Sequence, residues 1–462
     1  MLKQLVYYVG REKFFQGINQ YLNKYAYSNA TLADLLHELE KASGRDLKAW
    51  SAKWLEESGI NTIATEVEEN ADGTIASLTL NQTAPAEHPV LRPHRLAVGF
   101  YDEDPATGKI VRTDRFELDV DGESTVVAAA AGKKRPAFIL VNDDDLTYTK
   151  LRFDADSLSF ALANLQRFDD ALARAVVWLS LWDMTRDGDL AAEKFIDTTL
   201  ALLATETEST TFRYALSCMS TTAWHYTAPD RRADVVKHVA KELWKLVIAA
   251  PGGSDQQFQL VTAYLGYGEE GDAEFAEHAQ GLFDGSLIVA GLEIDNNFTW
   301  TIINALSSVK LIDQAGIDAQ LAKRDTTENR EFALGAHAVR GDAAAKEWAW
   351  NEALNNADLT NMQLEAVARG FGATPRPDLA EPYAAKYYDV VDWVWKNKSF
   401  HMAEALLEGL YPYYADPATL VELGHRWLAD HEDADNALKR IVRGNVESSQ
   451  RTLKVRDFNA AL

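Results

Sequence analysis

The feature that most constrains this chain of 462 residues is a double switch in its hydrophobic period. Up to about residue 59 apolar side chains recur at helical spacing. Between about 60 and 150 they alternate in twos, and from about Ser157 to the end the helical spacing returns. A helix presents one face every 3.6 residues and a strand one face every second residue, so each switch marks a change of layer type. The chain is therefore read as mainly α in three parts. These are an N-terminal helical remnant (1–59), a small β-sandwich (60–152) and a large HEAT-like α-solenoid (153–462).

The first part carries its own punctuation. Leu2, Leu5, Val6 and Val9 share one helical face, and Gly10 closes that helix. No Ser, Thr, Asp or Asn precedes them as a cap, which suggests a chain entered midway. A second helix is expected from about Arg11 to Tyr27, with Phe14, Ile18, Tyr21, Leu22 and Tyr25 at helical spacing. Thr31 with Asp34 resembles a capping box opening Leu32–Ala42, Gly44 is a natural stop, and Asp46 can cap a helix through Trp50 and Trp54.

In the second part Asp72-Gly73 signals a hairpin turn. Ala76, Leu78 and Leu80, then Leu96, Val98 and Phe100, then Phe116, Leu118 and Val120, each fall on one strand face. Phe138-Ile139-Leu140-Val141 is apolar throughout, as expected of a strand covered on both sides. Six or seven short strands imply a sandwich. In the third part, breakers such as Pro251-Gly252-Gly253 and Thr374-Pro375-Arg376-Pro377 recur every 15–25 residues or so. Some 14 to 16 helices are expected, stacked as antiparallel pairs without a strict period.

The chemistry is found by elimination. The formal charge of −24, from 70 acidic and 46 basic residues, repels phosphate backbones and argues against nucleic acid. No apolar run approaches a membrane span. The single cysteine, Cys218, sits in an apolar run, fits a reducing, cytoplasmic setting and reads as a buried, inert thiol. A zinc peptidase helix needs two His four residues apart with a Glu between them. His37-Glu38 is followed by Lys41 and His431-Glu432 by Asp435, so neither qualifies. The tract around His431 and Asp435 reads as an acidic turn or helix start. Asn142-Asp143-Asp144-Asp145 lacks an EF-hand spacing and is expected to be a solvated turn rather than a calcium site. No phosphate loop, nucleophile elbow or dinucleotide fingerprint is present, and no catalytic, cofactor-binding or metal-binding residue is assigned.

One local charge stands out. Residues 436–462 hold Lys439, Arg440, Arg443, Arg451, Lys454 and Arg456 against Glu447 and Asp457, a net of +4. Two readings compete: a last helix docked on acidic neighbours, and a positive lining that draws an anion such as a peptide carboxylate.

Several separated tracts carry a resemblance. Gly10, Phe14-Phe15, Gly17, Tyr21-Leu22, Asp34-Leu35, Ser43-Gly44-Arg45-Asp46-Leu47 and Trp50…Trp54-Leu55…Gly59 are similar to the end of the catalytic domain in the bacterial, actinobacterial-type aminopeptidase N family. Asn142 to Tyr148 resembles that family's exit from its β-sandwich, and Trp182-Asp183-Met184 with Arg186-Asp187-Gly188 the start of its helical C-terminal domain. Asn61 departs from the pattern, since many relatives carry Pro there. The resemblance implies a zinc metallopeptidase that removes N-terminal residues from peptides, and a chain that is its C-terminal fragment. The His-Glu-x-x-His zinc site and the Gly-x-Met-Glu-Asn amine site are not in this sequence. They are expected in a missing N-terminal catalytic region, the chain's implied partner, with zinc and peptide substrates belonging to the parent protein. The β-sandwich is then a spacer and the helical part a cap over the active-site chamber. The alternative is a freestanding solenoid scaffold or an accessory subunit.

Overall fold

The computed structural model describes residues 2–462, and Met1 lies outside the described residues. The protein is mainly α, with one small β region. It divides into two compact units, Met1–Met184 and Thr185–Leu462.

The first unit opens with helices Leu2–Val9, Arg11–Lys24, Leu32–Ser43 and Leu47–Leu55. Thr31 and Asp34 form the reciprocal capping box, and Gly44 adopts a left-handed φ of 73° at the following stop. Asp46 accepts from the Ala49 N–H at the next helix start. The second helix ends at Lys24, short of Tyr27, whose own φ of 58° is incompatible with a continuing helix. Leu5, Val9, Leu36, Leu39, Leu47, Trp50 and Trp54 form the core of this segment.

Seven strands follow: β1 (Thr62–Glu69), β2 (Ile75–Thr83), β3 (His94–Glu103), β4 (Ile110–Val120), β5 (Ser124–Val126), β6 (Phe138–Val141) and β7 (Lys150–Arg152). They make two sheets, ordered β5-β2-β1-β7 and β4-β3-β6. The inward set of β2 is Ile75, Leu78, Leu80 and Gln82, while Ala76 is exposed. The expected alternation through Ala76 fails because the β1–β2 register slips between Glu68 and Glu69, leaving Ala76 as the extra residue of a bulge. β6 is buried throughout, with helix Ala155–Asn164 packed on it and Phe138 edge-on to Phe168 at 5.2 Å.

Long-range hydrogen bonds lock the helical segment to the sheets. Buried Arg92 donates to the carbonyls of Lys53, Glu57 and Ser58, satisfying the C-terminal end of helix Leu47–Leu55. Asn61 is also buried; its amide donates to Val90 and Thr83 carbonyls and its oxygen accepts the Arg92 N–H. A proline there would forgo all three bonds.

In the second unit alternate helices stack into a row: Ser209–Thr221, Asp255–Leu265, Asn296–Ser308, Thr327–Ala338, Asn361–Gly372, Phe400–Gly409 and Asn436–Ala460. The helices between them form the second layer, as in a HEAT-like solenoid. Close approach in the row depends on small residues. A Cβ on Gly370 would lie 2.7 Å from the Gly335 carbonyl oxygen, and one on Gly409 would lie 2.8 Å from Ala368 Cβ. From Ala155 onward there are 17 α-helices among the described residues, slightly more than the spacing of breakers suggests. One of them is the single turn Pro377–Ala380, set off where proline ends the preceding segment.

Candidate functional site

The basic cluster lies on the last helix, Asn436–Ala460, which starts with Asp435 accepting from the Ala437 N–H. Leu438, Ile441, Val442, Asn445, Val446, Ser449, Thr452 and Val455 form its buried stripe. At about 100° per residue, Lys439, Arg440, Arg443, Arg451 and Lys454 fall within about a third of the circumference, and Arg456 stands on the other side. Lys439 Nζ donates to the Glu432 carbonyl at 2.8 Å, and Arg440 reaches Glu404 at 3.7 Å. Arg443 and Lys454 are exposed.

Arg456 is different: it is 9% exposed, and its Nε donates to the His225 carbonyl at 2.8 Å. His225 belongs to a widened π-type turn, Thr222–Tyr226, closed by Thr227 N–H on the Thr222 carbonyl. Asn459 donates to the Tyr226 carbonyl and accepts the Ala192 N–H, so the end of the last helix is fastened to this turn. Arg451 and Arg186 approach the Tyr226 hydroxyl. The His225 ring stacks on Tyr414 at 4.7 Å, and burial with the nearby Arg456 and Arg232 holds its pKa down at about 3. Burial, with Arg232 as a like-charged neighbour, lowers the Arg456 pKa to about 10.

Two cavities open along the row of small residues. One, of about 500 Å³, is lined by Glu365, Glu404, Glu408, Arg369, His401 and Tyr413, and the other, of about 430 Å³, by Glu328, Glu331, Phe332, Met362, Asn304 and Arg369. Their carboxylates outnumber their cations, and His401 is 3.1 Å from Glu365.

The other chemistry-bearing tracts are occupied by structural roles. Glu38 is buried between Lys24 at 2.6 Å and Lys41 at 3.4 Å. His431 stacks on Trp427, with one ring nitrogen on the Trp427 carbonyl and the other 3.0 Å from Asp392, while Asp435 caps the last helix. The acidic turn is not simply solvated as expected. Asp143 is 1% exposed, accepting from the Tyr101 hydroxyl at 2.6 Å and from Arg112 at 2.7 Å, and Asp144 pairs with Arg112 and Arg115. The arginines of β4 supply the positive charge that the spacing of the turn does not show. Asn142, Asp144 and Asp145 take left-handed φ values, and Asn142 holds the turn by accepting the Leu146 and Thr147 N–H groups. Among the described residues no three His, Cys, Asp or Glu side chains converge as a metal site, and no helix is long and apolar enough to cross a membrane.

The ERAP1-like C-terminal domain family matches residues 138–451, and the peptidase family M1 domain matches residues 1–54. The chain is 37% identical to the aminopeptidase N of Streptomyces lividans over 467 aligned residues, covering 100% of this chain and 54% of that protein. It therefore spans about half the length of that relative. The mitochondrial aminopeptidase 2 of Saccharomyces cerevisiae is 29% identical over 173 residues, 34% of this chain and 17% of that protein. A probable aminopeptidase 1 of Sulfurisphaera tokodaii is 37% identical over 68 residues, 15% of this chain and 9% of that protein. With more than half its length matched, the chain belongs to the family of ERAP1-like C-terminal domains, here following the end of a peptidase family M1 domain.

Proposed function

We propose that this chain is the non-catalytic C-terminal portion of a zinc aminopeptidase that removes N-terminal residues from peptides in the cytoplasm. Its division into a catalytic-domain end (1–59), a β-sandwich spacer (60–152) and a helical cap (153–462) is part of that reading. The observation that carries it is the alignment of the whole chain with about half of an aminopeptidase N, together with an M1 match confined to residues 1–54. No catalytic step is assigned to residues of this chain, because the His-Glu-x-x-His and Gly-x-Met-Glu-Asn motifs are not in its sequence. Zinc, peptide substrate and the partner catalytic region belong to the other half of the parent. Lys439, Arg440, Arg443, Arg451 and Lys454 offer a basic face for docking or for a peptide carboxylate, with Arg456 turned inward.

The test is reconstitution. The chain alone is expected to leave aminoacyl-4-nitroanilides uncut, and fusion to the catalytic half of a related aminopeptidase is expected to restore zinc-dependent, chelator-sensitive cleavage. Chelator-sensitive cleavage by the isolated chain would refute the reading.

A further inference from the structure

Burying a guanidinium in a folded protein normally requires a carboxylate or a full set of acceptors, because an unmet charged donor is expensive away from water. The second unit holds two, one buried and one half-buried, that do not meet that condition. Arg456 is 9% exposed, and after its Nε bond to the His225 carbonyl one terminal nitrogen has no partner and almost no solvent contact. Arg232 is half-buried, and its Nε is in the same condition. Arg232 lies close enough to Arg456 to disfavour its charge, and burial lowers the Arg232 pKa as well.

The carboxylates in range do not resolve this. Asp416 attracts Arg456 only at a distance, because its Oδ2 caps helix Pro417–Asp430 through the Thr419 N–H and hydroxyl. Glu269 lies within range of Arg232, and burial holds its own pKa up. Arg232 is also the first residue of helix Arg232–Ala249, 18 residues long, whose start has no side-chain cap. The positive end of that helix therefore adds to the two guanidiniums. The nearby aromatic pair His225–Tyr414 brings no negative charge, since burial keeps His225 neutral and pushes the Tyr414 pKa up to about 12.

We propose that Arg232 and Arg456 form an internal binding site for a small oxyanion, held bidentately by the two guanidiniums at the uncapped helix start. A carboxylate and an inorganic phosphate share the chemistry required. The proposal does not rest on the peptidase reading, because its grounds are the two unmet donors alone.

The experiment is a titration of the full chain with sodium phosphate, and separately with a short peptide bearing either a free or an amidated C-terminus. Each is read by thermal unfolding and calorimetry against sodium chloride of equal ionic strength. A saturable rise in Tm with near-unit stoichiometry is expected, weakened at least tenfold in Arg456→Gln and in Arg232→Gln. Arg456→Lys keeps the charge without the fork and is expected to bind at intermediate strength. Response to phosphate and not to either peptide supports a free anion. Response to the free-acid peptide and not to the amide supports a peptide end. Responses no larger than those to chloride, or binding unchanged in both Gln variants, overturn the site. Should the Gln variants fail to fold, the wild-type calorimetry decides: no saturable phosphate or carboxylate heat means no site.

Discussion

Lys346 offers a quantitative test of how the helical unit is held. It is 2% exposed, and its Nζ donates to the carbonyls of Ala338 at 2.7 Å, Phe371 at 3.1 Å and Gly370 at 3.2 Å, and to the Thr374 hydroxyl. These carbonyls lie at the C-terminal ends of helices Thr327–Ala338 and Asn361–Gly372, where four carbonyls per helix lack intrahelical donors. Replacing Lys346 by Met keeps most of the stem and removes every donor. Above neutrality at least two carbonyls are stranded at about 1–3 kcal/mol each, so K346M should be less stable by about 2–6 kcal/mol at pH 9. Burial pushes the Lys346 pKa down to about 7, whereas the unfolded chain holds its proton to about 10.4. Between those values the unfolded state binds one more proton than the native state, so wild-type stability rises with pH and falls as pH drops toward 7. At about 1.4 kcal/mol per pH unit at full slope, and half that at pH 7 where the native group is half protonated, the gap between wild type and K346M should widen by about 2.3 kcal/mol from pH 7 to pH 9, and stay nearly constant below pH 6. Urea unfolding of both proteins by far-UV circular dichroism from pH 5.5 to 9 measures this gap. A gap that is flat across the range, or that narrows with rising pH, refutes the reasoning.

Three other outcomes are expected. Gly370→Ala forces a Cβ against the Gly335 carbonyl and Ala338, and overpacking of this kind should cost about 1–3 kcal/mol in the urea midpoint, whereas an open site such as Gly444 should tolerate Ala. Asp143→Ala strands the Tyr101 hydroxyl and part of Arg112. A loss of about 2–4 kcal/mol is expected, below that for a fully buried pair because the Arg112 side chain stays 36% exposed, and calorimetry of the first unit reads it. On helix Arg11–Lys24 only Gly17 is buried, while Phe15 and Leu22 are 57% and 61% exposed. The chain should therefore self-associate with rising concentration in light scattering, and Phe15→Glu with Leu22→Glu should abolish the effect; a strict monomer at all concentrations counts against it.

What could be read from the sequence follows the range of the interactions involved. Caps act within four residues, so Thr31 with Asp34, Gly44 and Asp46 announce their helix ends directly. The fully apolar β6 and the switch of period announce the sheets. The bulge at Ala76 was hidden, because a one-residue slip is fixed by the partner strand and leaves no local mark. Arg92 and Lys346 were hidden for a related reason. Most of their partners are backbone carbonyls 24 to 39 residues away, and every residue carries such an acceptor, so neither position has a compositional signature.

The charge count along the last helix shows the same limit from the other side. It drew attention to Arg456 but gave all six cations equal weight, because one helical element distributes charge around its axis without saying which face meets solvent. Burial separates them: Arg443 and Lys454 keep their hydration at little cost, whereas Arg456 has surrendered it for a single carbonyl. Its neighbour Arg232 lies more than 200 residues upstream, in the run Asp230-Arg231-Arg232, where an arginine at a helix start carries no signal by itself. The candidate site therefore emerges only when the π-type turn and the last helix are brought together. It is the unmet donors there, and not the net charge of the helix, that call for an anion.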